Sequence, residues 1–173
     1  MQTISQKNTL QLFESIKREL FLQFPLTEWT IKPGDFLWTK HKTKYGMARF
    51  NGDIFINRAF ISSTAWQLLD ATIRHELAHL YIGLAAGHNA DFQATAQLFK
   101  SCFKSVPRAE IKQFQEQISY RYKLYAICEN GDSILLKKTH RKHAKYTQYK
   151  ARFFYKLSIN GQKIKRFNYI DIC

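Results

Sequence analysis

Residues 71–92 read ATIRHELAHLYIGLAAGHNADF, and three of the chain's six histidines fall within them. On a helix, residues four apart share a face one turn above the other, so His75 and His79 can offer two imidazole nitrogens to one ion. Zinc takes nitrogen ligands at about 2.0–2.1 Å, and a catalytic site needs three protein ligands with a fourth position open. His88 is the candidate third ligand, delivered just past Gly87 from the connection to the next helix. Glu76 points off the ligand row toward the place of an ion-bound water, whose pKa the ion lowers to about 7, and can act there as base. The competing reading is a buried helix with stray polar residues, since a short HExxH match also arises by chance. That alternative leaves histidine and glutamate unpaired on an apolar helix, which is costly.

Working outward, Ser62, Ser63 or Thr64 can cap a helix running through AWQLLDATIRHELAHLYIGLAA, with Gly87 as its stop. Asn89 or Asp91 then starts FQATAQLFKSCF, and Pro107 opens RAEIKQFQEQI. Upstream, Leu10, Phe13, Ile16, Lys17, Leu20 and Phe24 recur at helical spacing and predict an amphipathic helix ending before Pro25. Between Glu28 and Asn57 lie short β-prone runs, TEWTIKP, DFLWTK, YGMARF and DIFIN, with a tight turn at Asn51-Gly52. From Tyr120 the strand texture returns in YKLYAIC, SILLKK, ARFFYKLSI and QKIKRFNYI, with turns at ENGD and NGQ. The pattern predicts an α+β chain: a core over 1–118, with helices and a short antiparallel sheet, and a basic β-rich region over 119–173.

The 173 residues carry a net charge of +14. Thirteen Lys/Arg against Glu129, Asp132 and Asp171 place +10 of it between Tyr120 and Cys173. Such a balance fits a polyanionic partner, most often nucleic acid, or simply a solvated basic face. Lys137, Lys138, Arg141, Lys142, Lys145, Lys150 and Arg152 form a candidate phosphate-facing strip, interleaved with Tyr146, Tyr149, Phe153, Phe154 and Tyr155. With the Phe residues buried and the cations outward, the strip implies no sequence specificity. Three separated cysteines, Cys102, Cys128 and Cys173, exclude a disulfide framework. The N-terminus lacks an apolar signal core and no apolar run is long enough to span a bilayer, so a cytoplasmic protein with no membrane partner is expected.

HELAH at 75–79, Gly87-His88, Asp91-Phe92 and the upstream YGMARFNGDIFINRAF resemble the SprT-like zinc metallopeptidases, the group that includes bacterial SprT and eukaryotic Spartan. The resemblance covers about residues 8–165 and is most specific between 45 and 92. It implies a small zincin-like metalloprotease core, one catalytic zinc on His75, His79 and His88, and Glu76 as general base. It further implies that DIFIN is an edge strand along which an extended substrate pairs. Spartan-type members cleave proteins crosslinked to DNA, so the resemblance points to a monomeric endopeptidase associated with the nucleoid and binding single-stranded or non-specific DNA. Relatives often append a zinc ribbon held by two cysteine pairs. Here Cys128 stands alone, and Leu157 and Asn160 occupy the places of the second pair, so no ribbon zinc is expected.

A compensating core is visible in Leu124, Tyr125, Ile127, Ile134, Leu135, Phe153, Phe154, Leu157 and Ile159, while Cys128, His140 and His143 form a rival metal set. Tyr45, Tyr81 and Arg74 are open candidates for stabilising an oxyanion. Two other functions compete with a DNA-associated peptidase: a nucleic-acid-binding protein whose metal core is structural or inactive, and a zinc peptidase acting on a protein away from DNA.

Overall fold

Helix α1 (Gln6–Gln23) begins with a reciprocal cap, in which Asn8 N–H donates to Ser5 Oγ and Ser5 N–H to Asn8 Oδ1. Its buried stripe is Thr9, Phe13, Ile16 and Leu20, at spacings of four, three and four. Leu10, expected on that stripe, sits one position off it and is 47% exposed. The computed structural model describes residues 2–151 and 156–172, and the chain divides into two units, Met1–Ile118 and Ser119–Cys173. Among the described residues there are five α-helices and two small sheets, and no helix is long and apolar enough to cross a membrane.

In the first unit, β1 (Phe36–Thr39), β2 (Gly46–Ala48) and β3 (Ile54–Asn57) form a sheet of order β1-β3-β2. The expected hairpin across Asn51-Gly52 joins β2 to β3 in antiparallel register. The β1–β3 pair is parallel, which corrects the expectation of an antiparallel sheet. The segment after Thr39 carries the chain past β3 before it turns back, so β3 enters between two strands of opposite direction. The same order corrects a second expectation: DIFIN is the central strand, and the free edges are β1 and β2. TEWTIKP is no strand. Thr27 and Glu28 complete a 3-10 turn that starts at Leu26, after which the N–H groups of Thr30 and Ile31 donate to the carbonyls of Tyr81 and Leu80. Those carbonyls belong to the last turn of α2 (Trp66–Ile82), where intrahelical partners run out.

The start of α2 also differs from expectation. None of Ser62, Ser63 and Thr64 is its cap residue, a place taken by Ala65. Leu68 N–H donates instead to Glu110 Oε2 (2.9 Å), and Thr64 gives both its N–H and its hydroxyl to Gln113 Oε1. Both acceptors come from α4 (Arg108–Gln117), and the Glu110 carboxylate also opposes the positive end of the α2 dipole. The helix stops at Gly83, whose φ of 90° suits glycine, four residues before the predicted Gly87. Residues Leu84–Ala86 then make a 3-10 turn, and α3 (Ala90–Leu98) starts at Asn89, whose Oδ1 accepts from Phe92 N–H. Ile54, Ile56, Phe60, Leu68, Leu69, Ile73, Leu77, Leu80 and Phe99, each wholly buried, form the centre of this unit.

The second unit is a sheet of order β5-β4-β7-β6, from β4 (Tyr122–Cys128), β5 (Ser133–Thr139), β6 (Ser158–Ile159) and β7 (Gln162–Asp171). Among the described residues, Leu124, Ala126, Cys128 and Ile164 are its buried apolar side chains, and Thr139 is buried at the end of β5. A short helix unforeseen in the sequence, α5 (Ala144–Thr147), brings Tyr146 onto Phe167 and Tyr169. Tyr149 packs on Phe167, while its hydroxyl donates to Ile164 O and accepts from Leu157 N–H. Tyr146 and Tyr149 are therefore half-buried and packed on β7. Of the other expected core members, Leu135 and Leu157 are more than two-fifths exposed, and Phe153 and Phe154, like Tyr155 and Cys173, lie outside the described residues.

The two turns that a ribbon metal would tie together are held by two side-chain contacts and a backbone hydrogen bond. Lys156 pairs with Glu129, Gln162 Nε2 donates to Asp132 Oδ2 (2.7 Å), and Glu129 N–H donates to Lys163 O. Cys128, His140 and His143 form no metal-binding group among the described residues.

Candidate metal centre and cleft

The i, i+4 spacing on α2 puts His75 and His79 one turn apart, and the turn after Gly83 returns the chain so that His88 meets both. The Nε2 atom of His88 lies 3.1 Å from that of His75 and 3.2 Å from that of His79. Nitrogens around a tetrahedral ion at about 2.0–2.1 Å stand about 3.3–3.4 Å apart, so this spacing fits a small divalent metal. Phe92, 1% exposed, is the platform for all three rings: it stacks on His79 at 4.2 Å and meets His75 and His88 at 4.8 Å. Phe103 adds an edge contact to His75. The second nitrogen of His79, Nδ1, is buried without a hydrogen-bond partner, so the stacked phenyl ring, not a carboxylate, fixes this imidazole.

Electrostatics favour neutral donors. Burial, with the neighbouring His79 and His88, pushes His75 down to about 4, and burial, His88 and Lys44 bring His79 to about 4. Unprotonated imidazoles are the form that binds a metal ion. Glu76 is 7% exposed, and burial pushes its carboxyl up to about 7 against the opposing Ala48 N–H and the charge of Lys44. A group titrating near neutrality can both take and return a proton.

The three histidines and Glu76 line a cleft of about 470 Å³, together with Thr43, Lys44, Tyr45, Gly46, Met47, Ala48, Thr72, Leu84 and Phe103. Its rim is β2, a free edge. Asn57 N–H donates to Tyr45 O and Arg49 N–H to Asp53 O, so the odd-numbered residues of this stretch bond to β3. By the alternation of antiparallel ladders, the peptide groups of Gly46 and Ala48 point away from β3, and that of Ala48 reaches Glu76.

The sequence profile of the SprT-like family matches residues 9–114. The chain belongs to the SprT-like family. No curated protein and no solved structure gives a significant match. The stretch matched in this SprT-like chain contains both sides of the cleft, β2 and α2.

Of the three candidates for an oxyanion partner in this SprT-like domain, only Tyr45 lines the cleft. Arg74 binds Asp70 Oδ1, Glu19 Oε2 and Phe99 O, which ties α2 to α1 and to the end of α3. Tyr81 donates to Glu28 Oε2. The sequence reading missed Lys44, Gly46 and Phe103 as members of the site. Gly46 had a signal, as the one glycine in YGMARF, but it reads equally as punctuation.

Removing metal should expose a pH dependence. The depressed His75 and His79 contribute stability that is complete above 6.5 and lost as pH falls toward 4. The raised Glu76 has the opposite sign: its contribution is complete below 4.5 and lost as pH rises through 7. Chelator-treated protein should therefore gain stability from pH 4.5 to 6.5, and Glu76→Gln should make that gain steeper. Urea midpoints at three pH values check this, and an unchanged slope in the variant refutes the assignment to Glu76.

Lys137 and Lys138, expected together in a basic strip, are directed to opposite faces of the sheet. Lys137 pairs with Leu124 and shares its buried face, whereas Lys138 pairs with Lys123 on the opposite face. Lys137 and Lys145 lie over the Tyr146 ring and Lys142 over Tyr122. Arg141 and Lys150 follow β5 and α5 in loops, and Arg152 lies outside the described residues.

Proposed function

We propose that this chain is a zinc-dependent endopeptidase that works on proteins bound or crosslinked to DNA. The observation that carries the peptidase reading is the Glu76 carboxyl, buried beside three converging imidazoles and beneath a free strand edge. His75, His79 and His88 would hold the ion, which supplies Lewis acidity toward water and a carbonyl oxygen. Glu76 takes the proton from the attacking water and passes it to the leaving amine nitrogen. The outward peptide group of Gly46 and the carbonyl of Ala48, whose N–H is bound to Glu76, hold the substrate extended beside α2.

The nucleic-acid half of the reading is supported by charge. Residues 120–173 carry +10, and Lys137, Lys142 and Lys145 gather round the Tyr122 and Tyr146 rings. Because these tyrosines pack on Phe167 and Tyr169 or on cations, binding falls to phosphate contacts, which predicts weak sequence preference and strong salt dependence. The same reading places the protein at the nucleoid.

The test is metal content and cleavage of casein and histone, with and without single-stranded DNA, at two salt concentrations. About one zinc per chain is expected, with cleavage stimulated by DNA and the stimulation lost at high salt. Zinc below about half an equivalent in native protein overturns the metal assignment. Cleavage indifferent to DNA leaves a peptidase and removes DNA from its function.

A further inference from the structure

The cleft holds a cation that has no ion-pair partner among the described residues. Lys44 lines it, and its charge is felt by both Glu76 and His79. None of the ion pairs among the described residues includes it. Glu76 is the sole carboxyl among the lining residues, and it does not come within ion-pair distance of the ammonium.

The backbone beneath Lys44 is fixed with unusual care for an exposed residue. His41 Nδ1 accepts from the N–H groups of Thr43 (3.2 Å) and Lys44 (3.1 Å), which requires this nitrogen to be unprotonated. From the other side Asn57, 3% exposed, donates its amide to His41 O (2.6 Å) and Lys44 O (2.7 Å). A buried amide at the end of the central strand thus sets the position of a loop that exposes Lys40, Lys42 and Lys44, of which Lys44 lines the cleft. The direction of the charge matters too. Three neutral imidazoles holding a divalent ion, with one carboxyl, leave the cleft positive before Lys44 is counted, and Lys44 adds to that excess. Such a field complements a negative ligand.

We propose that Lys44 is a substrate-binding residue whose ammonium receives a carboxylate of the peptide in the cleft, so that cleavage favours bonds close to a negative charge. The inference rests on the peptidase reading above. The carboxylate has two sources, an acidic side chain within the peptide or its C-terminus, and both present the same group to the ammonium.

Binding to the zinc-loaded Glu76→Gln protein separates the possibilities without relying on turnover. Fluorescent peptides of one sequence would carry internal Glu or internal Gln, each with a free or an amidated C-terminus. Anisotropy titrations at low salt should show roughly fivefold tighter binding for the favoured carboxylate, the upper range for an exposed ion pair, with the advantage shrinking as salt rises. An advantage for internal Glu assigns the side-chain source, and one for the free terminus assigns the other. The advantage should vanish in Glu76→Gln/Lys44→Met and pass to Lys-containing peptides in Glu76→Gln/Lys44→Glu. Lys44 is exposed, so circular dichroism and zinc content should match the parent. Equal binding of all four peptides by the parent, or an advantage that survives Lys44→Met, overturns the role of Lys44 and leaves the peptidase reading standing. Failure of the zinc-loaded parent to bind any peptide overturns both.

Discussion

Replacing Glu76 by Gln will slow peptide cleavage by roughly 10²–10⁴-fold, the usual contribution of a positioned general base, while zinc content stays at the parent level. The side chain is enclosed between α2 and β2, and no other carboxylate lines the cleft to take over the proton. Glutamine fills the same volume, so the cleft should keep its shape and the three imidazoles their spacing. What is lost is the ability to accept a proton from water. Parallel measurement of kcat and of zinc by atomic absorption separates the two roles. Loss of zinc together with activity would mean that Glu76 builds the site instead of serving it, and unchanged cleavage would remove it from the reaction.

The second large effect is expected at a residue with no side chain. A Cβ placed on Gly46 would stand 2.9 Å from Glu76 Cγ, 2.9 Å from Thr72 Cγ2 and 3.0 Å from Glu76 Oε1. Real carbons do not approach so closely, so Gly46→Ala must push β2 away from α2 or turn the Glu76 carboxyl aside. Overpacking of this kind costs about 1–3 kcal/mol. The displacement matters more for activity, since a shift of about 1 Å in a reacting group can lower a rate by about 10²-fold. Adding Thr72→Ser removes one of the two obstructing carbons and leaves a hydroxyl to replace the one that donates to Leu68 O. Gly46→Ala/Thr72→Ser should regain part of the lost stability and little of the activity, because the contact with Glu76 remains. Full recovery of kcat would show that the single variant acted through packing alone.

The site was more legible than the scaffold around it, for a physical reason. The pairing of His75 with His79 follows from the helical period alone, and His88 needed only a turn of the right length after α2. Strand order is different. Whether Ile54–Asn57 is an edge or a centre depends on where β1 and β2 settle, and both strands are short runs of mixed residues with no alternation strong enough to announce a neighbour. The cap of α2 was misread because Ser62, Ser63 and Thr64 are good capping residues by local preference, while the acceptors used are side chains of Glu110 and Gln113. Gly46 and Lys44 became visible only once β2 lay over α2. In the basic region Lys137 and Lys138 are neighbours in sequence, and a strand sends neighbours to opposite faces, which composition alone does not show.

The borrowed cap has a consequence in time. In the helix that carries His75, Glu76 and His79, Leu68 of the first turn takes its acceptor from 42 residues further along the chain, and Thr64, just before the cap, takes one from 49 residues further. During synthesis at about 5–20 residues per second, the histidines emerge seconds before the residues that anchor the start of their helix. A ribosome-bound chain ending before Glu110 carries all three histidines of the candidate metal centre and an unfastened helix. The last element of the first unit is thus the latch on its centre, and the cleft closes around its chemistry only when that unit is nearly complete.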